Sequence, residues 1–305
     1  MLDRLFIRKA SLQDKKALIN IGHKDHEAVL FFPNIKTQLL NHLRGISGQC
    51  YVVNYNSEVI GSIYFQNYFC REKVLFYGYL CVSKTFRNKG VGTYLIKECL
   101  EIYRQKRFLK VFCFVRQDNI PSIKLHENFG YKKLNFFLVS QSCQFSNSAN
   151  SQLSSFWNVE FMDLRTLDRL MLDNLFNIYQ KSMGEDYIQF FGSSLLRENF
   201  ILPKGTFLQN SYHFLKECCK KGANHRVTIL SKDGKYFGYC LKHNELLKVH
   251  VIPEFLQKEY LPELALLIKN IAFKEEIETI HLFGLIDVPS SILVNIKMIT
   301  MGKNL

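Results

Sequence analysis

The chain has 305 residues, 47% of them hydrophobic and 22% charged, and it carries nine cysteines. This composition excludes a disordered or collagen-like chain; no uncharged apolar run reaches the ~18 residues of a membrane helix, and the odd cysteine count without C-x-x-C spacing points to reduced thiols in a cytoplasmic protein rather than a disulfide framework. The net charge of +13 is lopsided, with 22 Lys and Arg against 10 Asp and Glu up to residue 150 and 18 against 17 beyond it, so the N-terminal half is the one suited to an anionic partner.

The length accommodates two domains, each large enough to bury a core. Met1 to Lys9 runs straight into strand-like sequence with no signal peptide, and a helix follows, ending near His23-Lys24-Asp25-His26-Glu27. Tyr51 to Val53 and Val59 to Phe65 read as a hairpin, and Val74 to Val82 as an apolar strand. Next comes Arg87-Asn88-Lys89-Gly90-Val91-Gly92, then a helix pattern from Thr93 to Lys106. A strand-loop-helix junction with two glycines and two cations is suited to a phosphate: glycine lets the backbone approach closely, and the amides of a helix N-terminus point at the anion. Lys110 to Val115 predicts a buried strand, and Asn119 to Tyr131 a helix that Asn119 can cap.

Ser140 to Gln152 is rich in Ser, Asn and Gln and predicts a linker or a long surface loop. Beyond it the first pattern returns. Val159 to Asp168 parallels Leu5 to Asp14, Val227 to Cys240 with a turn at Asp233-Gly234 parallels the first hairpin, and Leu246 to Val251 and Thr279 to Leu285 parallel the two later strands. The counterpart of the phosphate loop, Phe255 to Pro262, has no glycine and sets Glu259 where Gly90 stands. Only Met298 to Leu305 remains where the first pattern has Asn128 onward.

The loop Arg87-Asn88-Lys89-Gly90-Val91-Gly92, the strand before it and Asn119-Ile120-Pro121-Ser122-Ile123-Lys124-Leu125-His126-Glu127-Asn128-Phe129-Gly130-Tyr131 resemble the GCN5-related N-acetyltransferase (GNAT) superfamily. The resemblance implies an α/β fold with a mixed sheet, present as two tandem copies: residues 1–140 with an acetyl-CoA site, a linker at 141–156, and a degenerate, truncated copy at 157–305. It implies acetyl-CoA as cosubstrate, with no metal, and direct attack by an amine on a small molecule or a protein. Leu80, Cys81 and Val82 would pair with the pantetheine arm, and Arg87, Asn88, Lys89, Gly90, Val91, Gly92 and Thr93 would hold the pyrophosphate. Asn119 and Ser122 would stand near the thioester, Asn119 equally as a helix cap.

His126 occupies the position where the family commonly has a tyrosine acid, and is expected to protonate the leaving thiolate. A base is harder to find, because the strand positions that often supply it are Phe76 and Gly78. Tyr79, on what alternation makes the wrong face, and Glu27 are the candidates. That gap leaves a non-catalytic acyl-CoA-binding or scaffold protein as one alternative, and a bacterial effector that acetylates a host protein is another. Nucleic-acid binding has no support beyond basicity, since Phe136-Phe137 suits a core better than a stacking platform.

Overall fold

The structure, a computed structural model, describes residues 4–22, 43–44, 48–69, 73–141, 157–163, 167–186, 190, 226–243, 246–253, 259–277, 279–284 and 295–305. Apart from Ser140 and Gln141, which are strand, the predicted linker or loop lies outside them, as does the cluster from His23 to Glu27. The chain forms two compact units. One comprises Met1–Val115, Asn119–Lys133 and Met301–Leu305, and the other Arg116–Asp118 and Leu134–Thr300.

In the first unit β1 (Leu5–Lys9), β2 (Gln49–Tyr55), β3 (Glu58–Phe69) and β4 (Val74–Val82) run as an antiparallel meander, and β5 (Lys110–Arg116) pairs parallel to β4. The two-residue turn between β2 and β3 places Asn56 and Ser57 at φ 48° and 68°, the left-handed pair that matches the twist of a tight hairpin. Helix α1 (Lys15–Gly22) covers one face, where Leu18 meets Cys50, Val52 and Tyr64. Alternation along β2 and β3 sends Tyr51 and Phe65 to the opposite face, onto Tyr103 of α2 (Val91–Gln105). Helix α3 (Ile120–Asn128) closes the same face, with His126 against Tyr77.

The entry to α1 is fixed by Asp14. Its carboxylate accepts both guanidinium nitrogens of Arg8 at 2.7 and 2.8 Å and the Ser11 amide at 2.7 Å. The Arg8 hydrogen bond leads in holding its pKa down at about 2.

The second unit repeats the order of elements. β7 (Trp157–Asp163), α4 (Arg169–Met183), β8 (Arg226–Lys232), β9 (Lys235–His243), β10 (Leu246–Val251), α5 (Leu261–Lys274) and β11 (Thr279–Phe283) follow as β1, α1, β2, β3, β4, α2 and β5 do in the first. Asp233 and Gly234 form the predicted hairpin turn, at φ 51° and 72°. One face of β10 and β11, with Leu247, Val249, Ile280 and Leu282, packs on Leu264, Leu267, Ile268 and Ile271 of α5.

The sequence predicts a truncated end here, and the structure shows how the place is filled. β6 (Lys132–Gln141), which follows α3 in the chain, pairs antiparallel with β11, Phe137 opposite Phe283 and Gln141 opposite Thr279. β12 (Asn295–Asn304) lies beyond β6, and its last residues belong to the first unit, where the Leu305 amide donates to Leu109 O at 2.9 Å and Lys303 Nζ to Phe129 O at 2.7 Å. The pattern of strands along the sequence is right, but the partner of each final strand is non-local and leaves no local signal. Among the described residues no helix is long and apolar enough to cross a membrane.

Met301 is fully buried in this arrangement. Met301→Ala is therefore expected to destabilise the N-terminal unit by about 2–5 kcal/mol, the cost of a large-to-small change in a core. Urea unfolding followed by the tyrosine signal of that unit measures it, and a change below about 0.5 kcal/mol would show that the C-terminal residues are not part of its core.

Candidate functional site

The β4–β5 ladder is short. Val74, Leu75 and Phe76 stand opposite Lys110, Val111 and Phe112, and the pairing stops there although β4 runs on to Val82. On its other side β4 stays paired to β3, with Gly61 opposite Val82, Ser62 opposite Cys81 and Tyr64 opposite Gly78. The register shift between the last two pairs is a bulge centred on Tyr79, whose φ is +52°. A bulky residue in left-handed backbone inside a strand is strained, and such strain persists where surrounding structure enforces it. The extra residue bends β4 away from β5, so the edge of Leu80, Cys81 and Val82 that faces β5 is outside the ladder.

The bulge also corrects the predicted facing of Tyr79. Strict alternation puts it on the helix α2 side, whereas it packs with Tyr64 and the α1-face cluster, on the same face as Leu18. Burial pushes the Tyr79 phenol far up, so it stays protonated. It can donate a hydrogen bond but cannot serve as a base at neutral pH.

Where β4 ends, a 3-10 turn (Lys84–Phe86) leads into the loop. Arg87 Nε donates to Val82 O at 3.0 Å and fastens the loop to the strand end. Asn88 and Gly90 adopt φ 59° and 79°, and Gly90 is the N-cap of α2 with no side-chain cap. The first-turn amides of Val91, Gly92 and Thr93 therefore keep no capping acceptor from that residue, in a segment where Arg87, Asn88, Lys89 and Gly90 are exposed. Val91 is buried and anchors the helix start. The two glycines differ in what they do. Gly90 is required by its backbone angle, while a Cβ on Gly92 would make ordinary contacts with Leu125 Cδ2 at 3.7 Å and Val82 Cγ2 at 3.9 Å.

Beyond β5, Asn119 caps α3 through its side-chain oxygen, which accepts from the Ser122 amide at 3.2 Å. His126 is placed differently from the expectation of a ring open to a thioester. It is 2% exposed, stacked on Tyr77 at 5.7 Å and set edge-on to Tyr131 at 5.3 Å. Its Nδ1 lies 2.5 Å from Ser122 O, which fixes the proton on that nitrogen and leaves Nε2 a buried lone pair without a partner. Burial pushes its pKa down, and the bond to Ser122 offsets this only in part. In this arrangement the ring is neutral, its one proton is directed at a backbone carbonyl, and it packs between Tyr77 and Tyr131. The sequence reading names Tyr79 but sets it on the wrong face, because a bulge is invisible to period-2 counting. The only hint is Gly78 just before it.

The corresponding region of the second unit is closed. The β10–β11 ladder is continuous over five pairs, from Leu246 opposite Thr279 to His250 opposite Phe283. Gly284, at φ +83°, lies so close to the end of β10 that a Cβ there would come within 2.1 Å of Val251 O. Helix α5 starts from Tyr260 in right-handed backbone, with Pro262 lacking an amide proton and Glu263 in its first turn. These features remove the open strand edge and disfavour an anion at the helix start. Among the described residues no group of three or more His, Cys, Asp or Glu is arranged to hold a metal ion.

Residues 19–131 match the Acetyltransferase (GNAT) family. No curated protein sequence matches the chain. Over nearly its whole length the fold is similar to that of a GCN5-related N-acetyltransferase from Sphaerobacter thermophilus, with a TM-score of 0.58, 13% identity, and 99% of this chain and 96% of that one covered. It is also similar to a proposed acetyltransferase from Pyrococcus horikoshii, with a TM-score of 0.50, 11% identity, and 99% and 90% covered. At such identities the likeness is one of fold. The open β4 edge and the Gly90 loop both fall within residues 19–131, the stretch that matches the Acetyltransferase (GNAT) family.

Proposed function

We propose that the chain is an acetyl-CoA-dependent N-acetyltransferase whose N-terminal unit carries the site and whose C-terminal unit is a degenerate second copy of the same fold. The observation that carries this reading is the β4–β5 ladder ending at Phe76, which leaves the end of β4 out of that ladder before the left-handed glycine loop. An open strand edge leading into an uncapped helix N-terminus fits an extended thioester with a pyrophosphate at its far end. In this reading the edge of Leu80, Cys81 and Val82 pairs with the pantetheine amides. The amides from Asn88 to Thr93, with Arg87 and Lys89, hold the pyrophosphate, and Asn119 and Ser122 stand at the head of α3 beside the arm.

Acyl transfer to an amine needs the nucleophile deprotonated and the leaving thiolate stabilised. We assign the second task to Tyr79, whose protonated phenol sits at the bulge where β4 leaves β5. His126 acts by positioning, through the stack that seats α3 against Tyr77. The acceptor is an amine on a small molecule or a protein. A second reading, a non-catalytic acyl-CoA-binding protein, is favoured by one observation: on the α1 face of β4 the described residues offer Phe76 and Gly78 and no carboxylate or imidazole to take the amine proton. Glu27, the other candidate base, lies outside the described residues.

Calorimetric titration with acetyl-CoA should give one equivalent per chain. Gly90→Glu, which forces a side chain into left-handed backbone and sets a carboxylate in the nest, should weaken affinity at least about tenfold, as should Arg87→Glu. Unchanged affinity in a folded Gly90→Glu chain would overturn the assignment of the loop, and two equal equivalents would overturn the degenerate copy.

Tyr79→Phe should lower kcat by roughly the 10²–10⁴-fold of a lost acid–base group while leaving acetyl-CoA affinity unchanged. Wild-type turnover in this variant would exclude the phenol.

His126→Phe should keep turnover within about tenfold. It should also remove a pH dependence of stability. The folded pKa of His126 lies below the unfolded value, so the unfolded chain binds the proton more readily. The stability tied to this ring is complete above about pH 6.5 and is lost as pH falls through the lower, folded value. Urea titrations at about pH 7.5 and about pH 5.5 should show a smaller acid loss in the variant than in the wild type.

A further inference from the structure

An arm that pairs with Leu80, Cys81 and Val82 and has its pyrophosphate at the Gly90 loop points its thioester toward Phe76, where β4 and β5 come together. In the plane of the sheet the way is closed, because Val74, Leu75 and Phe76 are paired with Lys110, Val111 and Phe112. The α3 face is closed as well. Tyr77, the first residue of β4 past that ladder, is 1% exposed and lies against His126 and Tyr131. The acyl group therefore has to turn toward the α1 face.

Three phenyl rings wall that face at the fork. Phe76, Phe112 and Phe114 alternate with Tyr77 and Cys113 along their strands, and so share the side opposite to α3. The Phe76 ring centroid lies 5.2 Å from that of Phe112 and 5.3 Å from that of Phe114, and the latter two are 5.8 Å apart. Phe76 also leans over Gly78: a Cβ there would come within 3.2 Å of its ring Cζ and 3.3 Å of Cε1. The side-chain space that Gly78 leaves is thus taken by the ring two residues before it. Continued past Phe112, the register of the ladder sets Phe114 across the fork from Gly78. Phe76 and Phe112 are buried and Phe114 half-buried, so the wall has a packed base and one ring toward its open side.

An acetyl group brings a single methyl to this wall, whereas a longer chain has to displace rings that are packed on one another. The consequence for binding has a definite sign. In an open apolar pocket each added methylene tightens binding by about fourfold, and against a closed wall it weakens binding instead.

We propose that Phe76, Phe112 and Phe114 set the acyl-chain limit of the site, admitting acetyl and rejecting butyryl and longer groups, with Phe114 the ring that decides. The inference rests on the acyl-CoA reading of the β4 edge and deepens it. The bonds exchanged are the same for any acyl group: the amine nitrogen bonds to the thioester carbonyl carbon, the C–S bond breaks, and the proton that the amine loses is matched by one that the thiolate gains.

Calorimetric titration of the full-length chain with coenzyme A, acetyl-CoA and butyryl-CoA separates the two levels, because coenzyme A has no acyl group and reports on the arm and loop alone. The wild type should bind butyryl-CoA at least about tenfold more weakly than acetyl-CoA, the lower end of what a pocket achieves per misfitting methylene. With each affinity taken relative to coenzyme A, Phe114→Ala should reverse that order. Phe76→Leu, which keeps the site apolar while freeing space over Gly78, should narrow the gap, and circular dichroism checks that both variants fold. Equal affinity of the wild type for the two thioesters, or a gap unchanged in the folded variants, overturns the wall and leaves the arm standing on its coenzyme A binding. No binding of coenzyme A by the wild type overturns both.

Discussion

The bulge at Tyr79 is the constraint on which the N-terminal unit depends. Without it β4 would stay in register with β3 and in ladder with β5, and every backbone group from Tyr77 to Val82 would be used within the sheet. One extra residue in left-handed backbone does two things together. It releases the β5-facing edge of Leu80, Cys81 and Val82, and it turns the Tyr79 side chain onto the α1 face beside Tyr64. The cost of order 1–3 kcal/mol for such a backbone is met by packing around it: Tyr64 on one face, and the Phe65, Tyr77 and Tyr103 cluster on the other.

The second unit shows the same strands without that release. Its β10–β11 ladder is unbroken, its counterpart of the loop starts a helix with a proline and a glutamate, and Gly284 brings backbone to within contact of Val251 O. The comparison separates fold from site. The same order of strand, helix, hairpin, strand, helix and strand is built in both, and the difference lies in one irregular residue and one glycine. Loss of the irregularity leaves a sheet that is better hydrogen-bonded and has no open edge to offer.

How much of this could be read from the sequence follows from the range of the interactions. The hairpin turns, the loop glycines and the Asn119 cap are local, and residue types announce them: Asp233-Gly234 and Gly90 sit in the left-handed backbone their chemistry favours. Tyr79 was visible only as a candidate on the wrong face, because period-2 alternation assumes a regular strand. His126 was legible as a helix position but not as an environment, since Tyr77 and Tyr131, which enclose it, come from different elements. Phe76 and Phe114 are distant in the chain, and only the parallel pairing of β4 with β5 brings their rings together.

The least legible feature, the destination of the final strands, bears most on how the protein works. A unit whose core includes Met301 and whose edge includes Leu305 cannot finish folding until residues 301–305 are in place. β6 reaches its partner β11 only across more than a hundred residues of intervening chain, so both closing contacts are of high sequence separation and form late. Until then β5 presents an unpaired edge of apolar residues, Val111 and Val115 among them, of the kind that invites aggregation. The segment Met301–Leu305, distant in sequence from the rest of the first unit, thus supplies part of that unit's core and edge.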